Sequence, residues 1–187
     1  MRVVGGKYRG RQLFVPPGRD IRPTSNRVRE SIFNILTQGG EEIGKRNWVE
    51  RADVLDGFAG TGAMGLEAIS RGASKVTVID NDQAALNCCR KNIEALREGN
   101  NVEILSINCL NPGPTDQPYS LIFLDPPYGL GLVAPAIAAL TDNGWIAPKA
   151  ITVVEMARYD KIKPPLNFRI LDERVYGKAK ILFFGNW

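Results

Sequence analysis

The stretch Asp53-Val54-Leu55-Asp56-Gly57-Phe58-Ala59-Gly60-Thr61-Gly62 runs a short strand into a glycine-rich turn, and Ala63 to Arg71 continues it as a helix stopped by Gly72. The same alternation repeats down the chain. Lys75 to Ile79 is a strand rich in valine and isoleucine, and Asp82 to Arg97 is a helix with an apolar stripe of Ala85, Leu86, Cys89, Ile93 and Leu96. Val102 to Ile107 gives a third strand and Tyr119 to Leu124 a fourth. A helix falls within Leu132 to Thr141, and Ile151 to Glu155 is a fifth strand. Phe168 to Tyr176 and Lys178 to Phe184 read as a closing antiparallel hairpin that turns at Gly177. Repeated βα units need right-handed crossovers, so most strands lie parallel with helices over both faces. The expectation is an α/β fold, a doubly wound, mostly parallel seven-stranded sheet with a C-terminal antiparallel hairpin.

Ligands of such sheets bind beyond the carboxyl ends of the strands, near the point where strand order reverses. The turn after the first strand is D-x-F-x-G-x-G, which differs in spacing and first position from the G-x-G-x-x-G of dinucleotide-binding proteins. An acid at its head, Asp56, disfavours a pyrophosphate and favours an ammonium. Gly60 and Gly62 let the backbone around Phe58, Ala59 and Thr61 approach a ligand closely. Asp80, followed by Asn81, ends the second strand where an acid can hold two ribose hydroxyls. Asn108 stands at the end of the third, with an amide oxygen able to accept from an adenine amine. Singly, Asp80 could be a helix cap and Asn108 a loop residue. Together the three strand ends suit S-adenosylmethionine, with its amino acid at Asp56 and the turn, its ribose at Asp80 and its adenine near Asn108.

The fourth strand leads into Leu121-Ile122-Phe123-Leu124-Asp125-Pro126-Pro127-Tyr128-Gly129. Four apolar residues suit a strand buried on both faces, and two prolines without N–H groups end it on Asp125 and stiffen the turn. Asp125, the Pro126 carbonyl and the Tyr128 ring then converge: two acceptors for N–H groups and a face to stack on, a trio suited to a planar, amine-bearing base. The plainer alternative is a strand followed by an ordinary proline-rich loop. If the first and fourth strands are neighbours, one crevice serves both ligands and Asp125 borders the cofactor too.

At 187 residues, 44% of them hydrophobic, the chain suffices for one well-cored domain and is too short for two ordinary ones. No apolar run approaches membrane-spanning length and the N-terminus lacks a signal-peptide core, so a soluble, cytoplasmic protein without membrane contact is expected. Cys88, Cys89 and Cys109 form no C-x-x-C pair, which leaves metal and structural disulfides poorly supported. The absence of histidine removes the commonest general base and every Ser-His or Cys-His nucleophile. Carboxylates, backbone and aromatics remain to do the chemistry. Net charge is +6 over residues 1–30, −6 over 52–157 and +4 over 158–187. Basic ends on an acidic middle suit a polyanion held by the periphery and a different ligand in the core.

Residues 2–15 read as two short strands about a glycine- and arginine-rich turn, a small hairpin on which Lys7, Arg9 and Arg11 alternate along one face with Tyr8 among them. A solvated edge hairpin is the alternative. Thr24, Ser25 or Asn26 can cap a helix running to about Thr37, with Val28, Ile32, Ile35 and Leu36 as its buried stripe and Gly39-Gly40 at its end. Arg22, Arg27 and Arg29 are candidates for phosphate contacts or, equally, solvated helix charges. Residues 1–40 are thus expected to form a basic extension of a single domain whose core is residues 52–187.

Leu55-Asp56-Gly57-Phe58-Ala59-Gly60-Thr61-Gly62-Ala63-Met64-Gly65 resembles the first motif of class I methyltransferases, a Rossmann-like fold, and Asp125-Pro126-Pro127-Tyr128 resembles the motif of those that methylate amino groups conjugated to a planar system. More narrowly, residues 2–11, 22–36 and 65–73 resemble the bacterial 16S ribosomal RNA guanine-N2 methyltransferase family RsmD, over most of the chain. Gly57 stands where that family usually has a larger apolar residue, and the loop from Asn108 to Pro118 is individual. The resemblance implies S-adenosylmethionine as cofactor and Asp125, Pro126, Pro127 and Tyr128 as the catalytic turn. Asp56, Phe58, Ala59, Gly60, Thr61, Gly62, Asp80, Asn81, Asn108 and Asp125 would hold the cofactor, and Lys7, Tyr8, Arg9, Arg11, Arg22, Thr24, Arg27 and Arg29 the RNA. It further implies 16S rRNA within an assembled or assembling 30S subunit as partner, and a monomer. Rival expectations are a DNA or other RNA amino-methyltransferase, a protein glutamine methyltransferase and a noncatalytic RNA-binding module. A nucleotide-dependent oxidoreductase lacks its pyrophosphate loop here.

Overall fold

The computed structural model describes residues 1–15, 24–39 and 43–187. Seven strands form one sheet: β1 Asp53–Gly57, β2 Lys75–Asp80, β3 Val102–Ser106, β4 Tyr119–Leu124, β5 Ile146–Ala157, β6 Arg169–Tyr176 and β7 Ala179–Gly185. Their order is β3-β2-β1-β4-β5-β7-β6, with β1 to β5 parallel and β7 antiparallel to both β5 and β6. This is the doubly wound α/β sheet expected, and β5 is longer than the sequence pattern suggested. The chain steps outward from β1 through β2 to β3, then crosses back to place β4 on the other side of β1. The switch point therefore lies between β1 and β4, where Gly57 pairs with Leu124 and brings the two strand ends level.

Successive side chains on a strand point to opposite faces, and the sheet is apolar on both. Val54, Val76, Val78, Leu121 and Phe123 pack on one face beneath helices α1 (Asn26–Gln38), α2 (Ala63–Ser70) and α3 (Gln83–Leu96). Leu55, Ile79, Ile122 and Leu124 pack on the other beneath α4 (Val133–Asp142). Leu121 to Leu124 are all buried, each contributing on the order of 1.5–3 kcal/mol by the apolar surface it removes from water. Ser25 caps α1 by accepting from Val28 N at 3.2 Å, and Gly39, at φ 74°, ends it. Its stripe differs from the expected one: Phe33 and Arg29 are fully buried, whereas Ile35 is only half-buried. Asp82 caps α3 through Ala84 N at 2.8 Å. The three cysteines are free and buried, and desolvation pushes the Cys109 thiol up to about 12. Among the described residues no helix is long and apolar enough to cross a membrane.

The expected N-terminal hairpin takes a less regular form. One antiparallel bridge joins Arg2 and Gln12, and a 3-10 turn over Gly6–Tyr8 stands where strand was expected. Val3 N donates to the Arg11 carbonyl and Leu13 N to that of Met1, but the turn breaks the period of two that would have aligned Lys7, Arg9 and Arg11. The segment is a strap. Val4 N donates to Glu67 at 2.8 Å, Tyr8 N to Ser70 Oγ at 2.9 Å and Phe14 N to Asn92 Oδ1 at 2.6 Å, pinning it across α2 and α3.

Candidate active site

The carboxyl ends of β1, β2 and β4 border a cleft of about 610 Å³ lined by Asp56, Phe58, Ala59, Gly60, Thr61, Asp80, Asn81, Thr24, Asp125, Pro126, Pro127 and Tyr128, with Met64, Asp82 and Ala85 also on its wall. Asp56 is almost wholly buried, and its Oδ2 accepts from Gly65 N at 2.8 Å. Desolvation raises its pKa to about 7, against the Gly65 hydrogen bond and with help from the charge of Asp80. Asp80 grips the turn: Oδ2 accepts from Gly60 N at 2.9 Å and Oδ1 from Asp82 N at 2.8 Å. Phe58, which lines the cleft, adopts φ 55°, a left-handed conformation uncommon for a side-chain-bearing residue.

Two expected cofactor residues do not line this cleft. Gly62 is small for packing: at φ 72° an added Cβ would lie 2.4 Å from Cys89 Sγ. Asn108 is exposed, its Oδ1 accepting from Leu110 N at 2.9 Å, so its side chain closes its own loop. The remainder fits S-adenosylmethionine: a buried acid poised to ionise against an ammonium, and a second acid fixed at the mouth of β2 for ribose hydroxyls.

At the turn after β4, Asp125 is half-buried, Pro126 buried, and Pro127 and Tyr128 exposed. Thr24 Oγ1 donates to Glu155 Oε2 at 2.7 Å and lies 3.3 Å from Asp125 Oδ2. The Tyr128 hydroxyl donates to Glu155 Oε1 at 2.6 Å, which fixes the ring while leaving it 39% exposed. Burial, and then the charge of Glu155, hold Asp125 well above the ordinary carboxylate range. A second cavity of about 390 Å³ adjoins the same turn, lined by Pro126, Pro127, Tyr128, Glu155 and Met156, with Lys161 and Lys163 also on its wall. Glu155 was absent from the expected site. The available signal was its position: it follows the apolar run of β5 much as Asp125 follows that of β4.

The expected RNA-contacting residues divide. Arg9, Arg11 and Arg27 are exposed. Lys7 Nζ instead pairs with Glu98 Oε1 at 2.6 Å, and the Tyr8 hydroxyl donates to the same oxygen, so both anchor the strap. Arg29 is fully enclosed, donating to the carbonyls of Thr24 and Arg2 and to Asn26 Oδ1, and a phosphate cannot reach it. Arg22 lies outside the described residues.

A family model described as "Conserved hypothetical protein 95" matches residues 1–185. Among curated relatives, the Haemophilus influenzae ribosomal RNA small subunit methyltransferase D is 33% identical over 190 residues, covering 100% of this chain and 94% of the relative. Its namesake from Escherichia coli K12 is 37% identical over 181 residues, covering 96% and 86%. The chain belongs to this family. Its solved neighbours include a putative methyltransferase from Escherichia coli, with a TM-score of 0.82 and 36% identity over 100% of this chain and 97% of that one. A putative methylase from Haemophilus influenzae superposes with a TM-score of 0.79 at 32% identity over 99% and 97%. Membership in a methyltransferase family accords with a cleft that joins Asp56 and Asp80 to the Asp125-Pro126-Pro127-Tyr128 turn.

Proposed function

We propose that the chain transfers a methyl group from S-adenosylmethionine to the exocyclic N2 of a guanine in 16S ribosomal RNA, within an assembled or assembling small subunit. The observation that carries this reading is that the Asp125-Pro126-Pro127-Tyr128 turn borders the same cleft as Asp56 and Asp80. The curated relatives' names supply ribosomal RNA of the small subunit, and the family resemblance supplies guanine N2. The exposed Arg9, Arg11 and Arg27 of the N-terminal extension would contact RNA phosphates.

The cofactor supplies an electrophilic methyl on a sulfonium. An aromatic amine is a poor nucleophile because its lone pair is delocalised into the ring. Asp125 and the Pro126 carbonyl accept its two N–H groups and hold the nitrogen with its lone pair directed out of the ring plane. Tyr128 offers a ring face to the extruded base. Once methylated the amine is positive; its charge favours the ionised form of Asp125, which accepts the released proton. Asp125→Ala should lower turnover by about 100- to 1,000-fold, the scale of losing one preorganised polar group. The test is methylation of unmodified small-subunit particles with labelled cofactor, followed by mapping of the labelled nucleotide. Label on another class of base, or near-normal turnover by Asp125→Ala, overturns the reading.

A further inference from the structure

Glu155 is a second carboxylate beside the acceptor turn, and the mechanism above leaves it unused. It stands near the end of β5, only 8% exposed, and lines the cavity that shares Pro126, Pro127 and Tyr128 with the acceptor turn. Two hydroxyls converge on it, Thr24 on Oε2 at 2.7 Å and Tyr128 on Oε1 at 2.6 Å. The same Thr24 oxygen is 3.3 Å from Asp125 Oδ2, so one hydroxyl separates the two acids. Both oxygens of Glu155 thus act as acceptors, and each keeps a further lone pair to offer.

We propose that Glu155 is a specificity-determining residue that accepts the ring N1–H of guanine while Asp125 and the Pro126 carbonyl hold the adjoining N2 amine. The proposal rests on the reading of the cleft as an amine methyltransferase site and names the base by its hydrogen-bonding edge. Guanine presents N1–H and the N2 amine side by side, a continuous row of donors matched to two neighbouring carboxylates. Adenine and cytosine place a bare ring nitrogen beside their amine, and its lone pair would face the Glu155 carboxylate with no hydrogen between them. Leaving a buried polar group so unpaired is the strongest form of discrimination a site can build. Glu155 thus supplies a physical reason for guanine independent of resemblance.

The test uses particles reconstituted with 16S RNA carrying 2-aminopurine at the nucleotide mapped as the wild-type target. This base keeps the N2 amine but has a bare N1. Single-turnover methylation by the wild-type protein should favour guanine by about 100-fold or more. Glu155→Gln can present an amide N–H to a bare N1, so the preference should narrow at least about tenfold, by loss on guanine and gain on 2-aminopurine. Calorimetric binding of S-adenosylmethionine and a thermal melt check that the variant is folded. An unchanged preference in a folded Glu155→Gln overturns the proposal. Equal use of the two bases by the wild-type protein also overturns it, whatever the variant does. If guanine particles take no label from the wild-type protein, the functional reading itself falls instead.

Discussion

Arg29 Nε lies 3.5 Å from Glu67 Oε2 with both side chains sealed from solvent, an ion pair between α1 and α2 in the middle of the core. Around it, Glu67 also accepts from Val4 N and Arg71 Nε, while Arg29 donates to three further oxygens, so the strap and two helices share one polar network. Removing one partner of such a pair leaves the other charge buried and uncompensated. Arg29→Ala should therefore cost about 3–5 kcal/mol in denaturant unfolding, against about 0.5 kcal/mol or less for the exposed Arg27→Ala.

Arg9 and Arg11 are exposed on the strap, and Lys7, also exposed, is engaged with Glu98. Neutralising a side chain that binds a phosphate lowers the log–log salt slope of RNA binding by about 1, so Arg9→Ala with Arg11→Ala should lower it by about 2. Filter binding across a salt series checks this. An unchanged slope would remove the strap from the RNA-binding surface. S-adenosylmethionine affinity should not move in either case.

Asp56, Asp80 and Asp125 were legible because each directly follows an apolar strand core, a local pattern whose consequence in a parallel sheet is fixed by the pleat and the crossover. Glu155 holds a like place after the apolar run Ile151-Thr152-Val153-Val154 but was not singled out, because its closeness to Asp125 arises only once β5 pairs with β4. The burial of Arg29 was hidden for a similar reason. A helical arginine beside an apolar stripe looks solvated until Glu67, from an element far along the chain, supplies the countercharge. Asn108 was singled out because it follows a strand; β3 ends at Ser106, and its Oδ1 accepts from Leu110 N within its own loop. The space beside Gly57 is filled by its neighbours, since an added Cβ would lie 2.8 Å from Leu124 Cδ2 and 3.1 Å from Cys109 Sγ.

The raised pKa of Asp56 has a sign that can be followed. Its folded value is about 7 and its ordinary value 3.8, so between those limits the folded chain holds a proton that the unfolded chain has released. This group therefore favours folding most at low pH, and that contribution declines as pH rises toward 7. An ammonium bound at the turn prefers the ionised carboxylate. Binding of S-adenosylmethionine should then release a proton below pH 7, and affinity should fall as pH drops, by at most about tenfold per unit. Calorimetry in two buffers of different ionisation enthalpy reads the released proton directly, and Asp56→Asn should abolish it.

Asn92 ties the strap to the glycine-rich turn after β1 through three hydrogen bonds. Fully buried on α3, it donates from Nδ2 to the Thr61 carbonyl at 3.0 Å and to the Phe14 carbonyl at 3.2 Å, and accepts from Phe14 N at 2.6 Å. Asn92→Leu fills similar volume but makes none of these bonds. Buried polar groups left without partners cost about 1–3 kcal/mol each, so the strap and the turn should both loosen. Amide exchange across residues 1–15 should quicken and S-adenosylmethionine should bind more weakly, while the exposed Lys91→Ala on the same helix should change neither. Faster exchange with unchanged cofactor affinity would show that Asn92 holds the strap alone and that the Thr61 carbonyl has no part in shaping the turn.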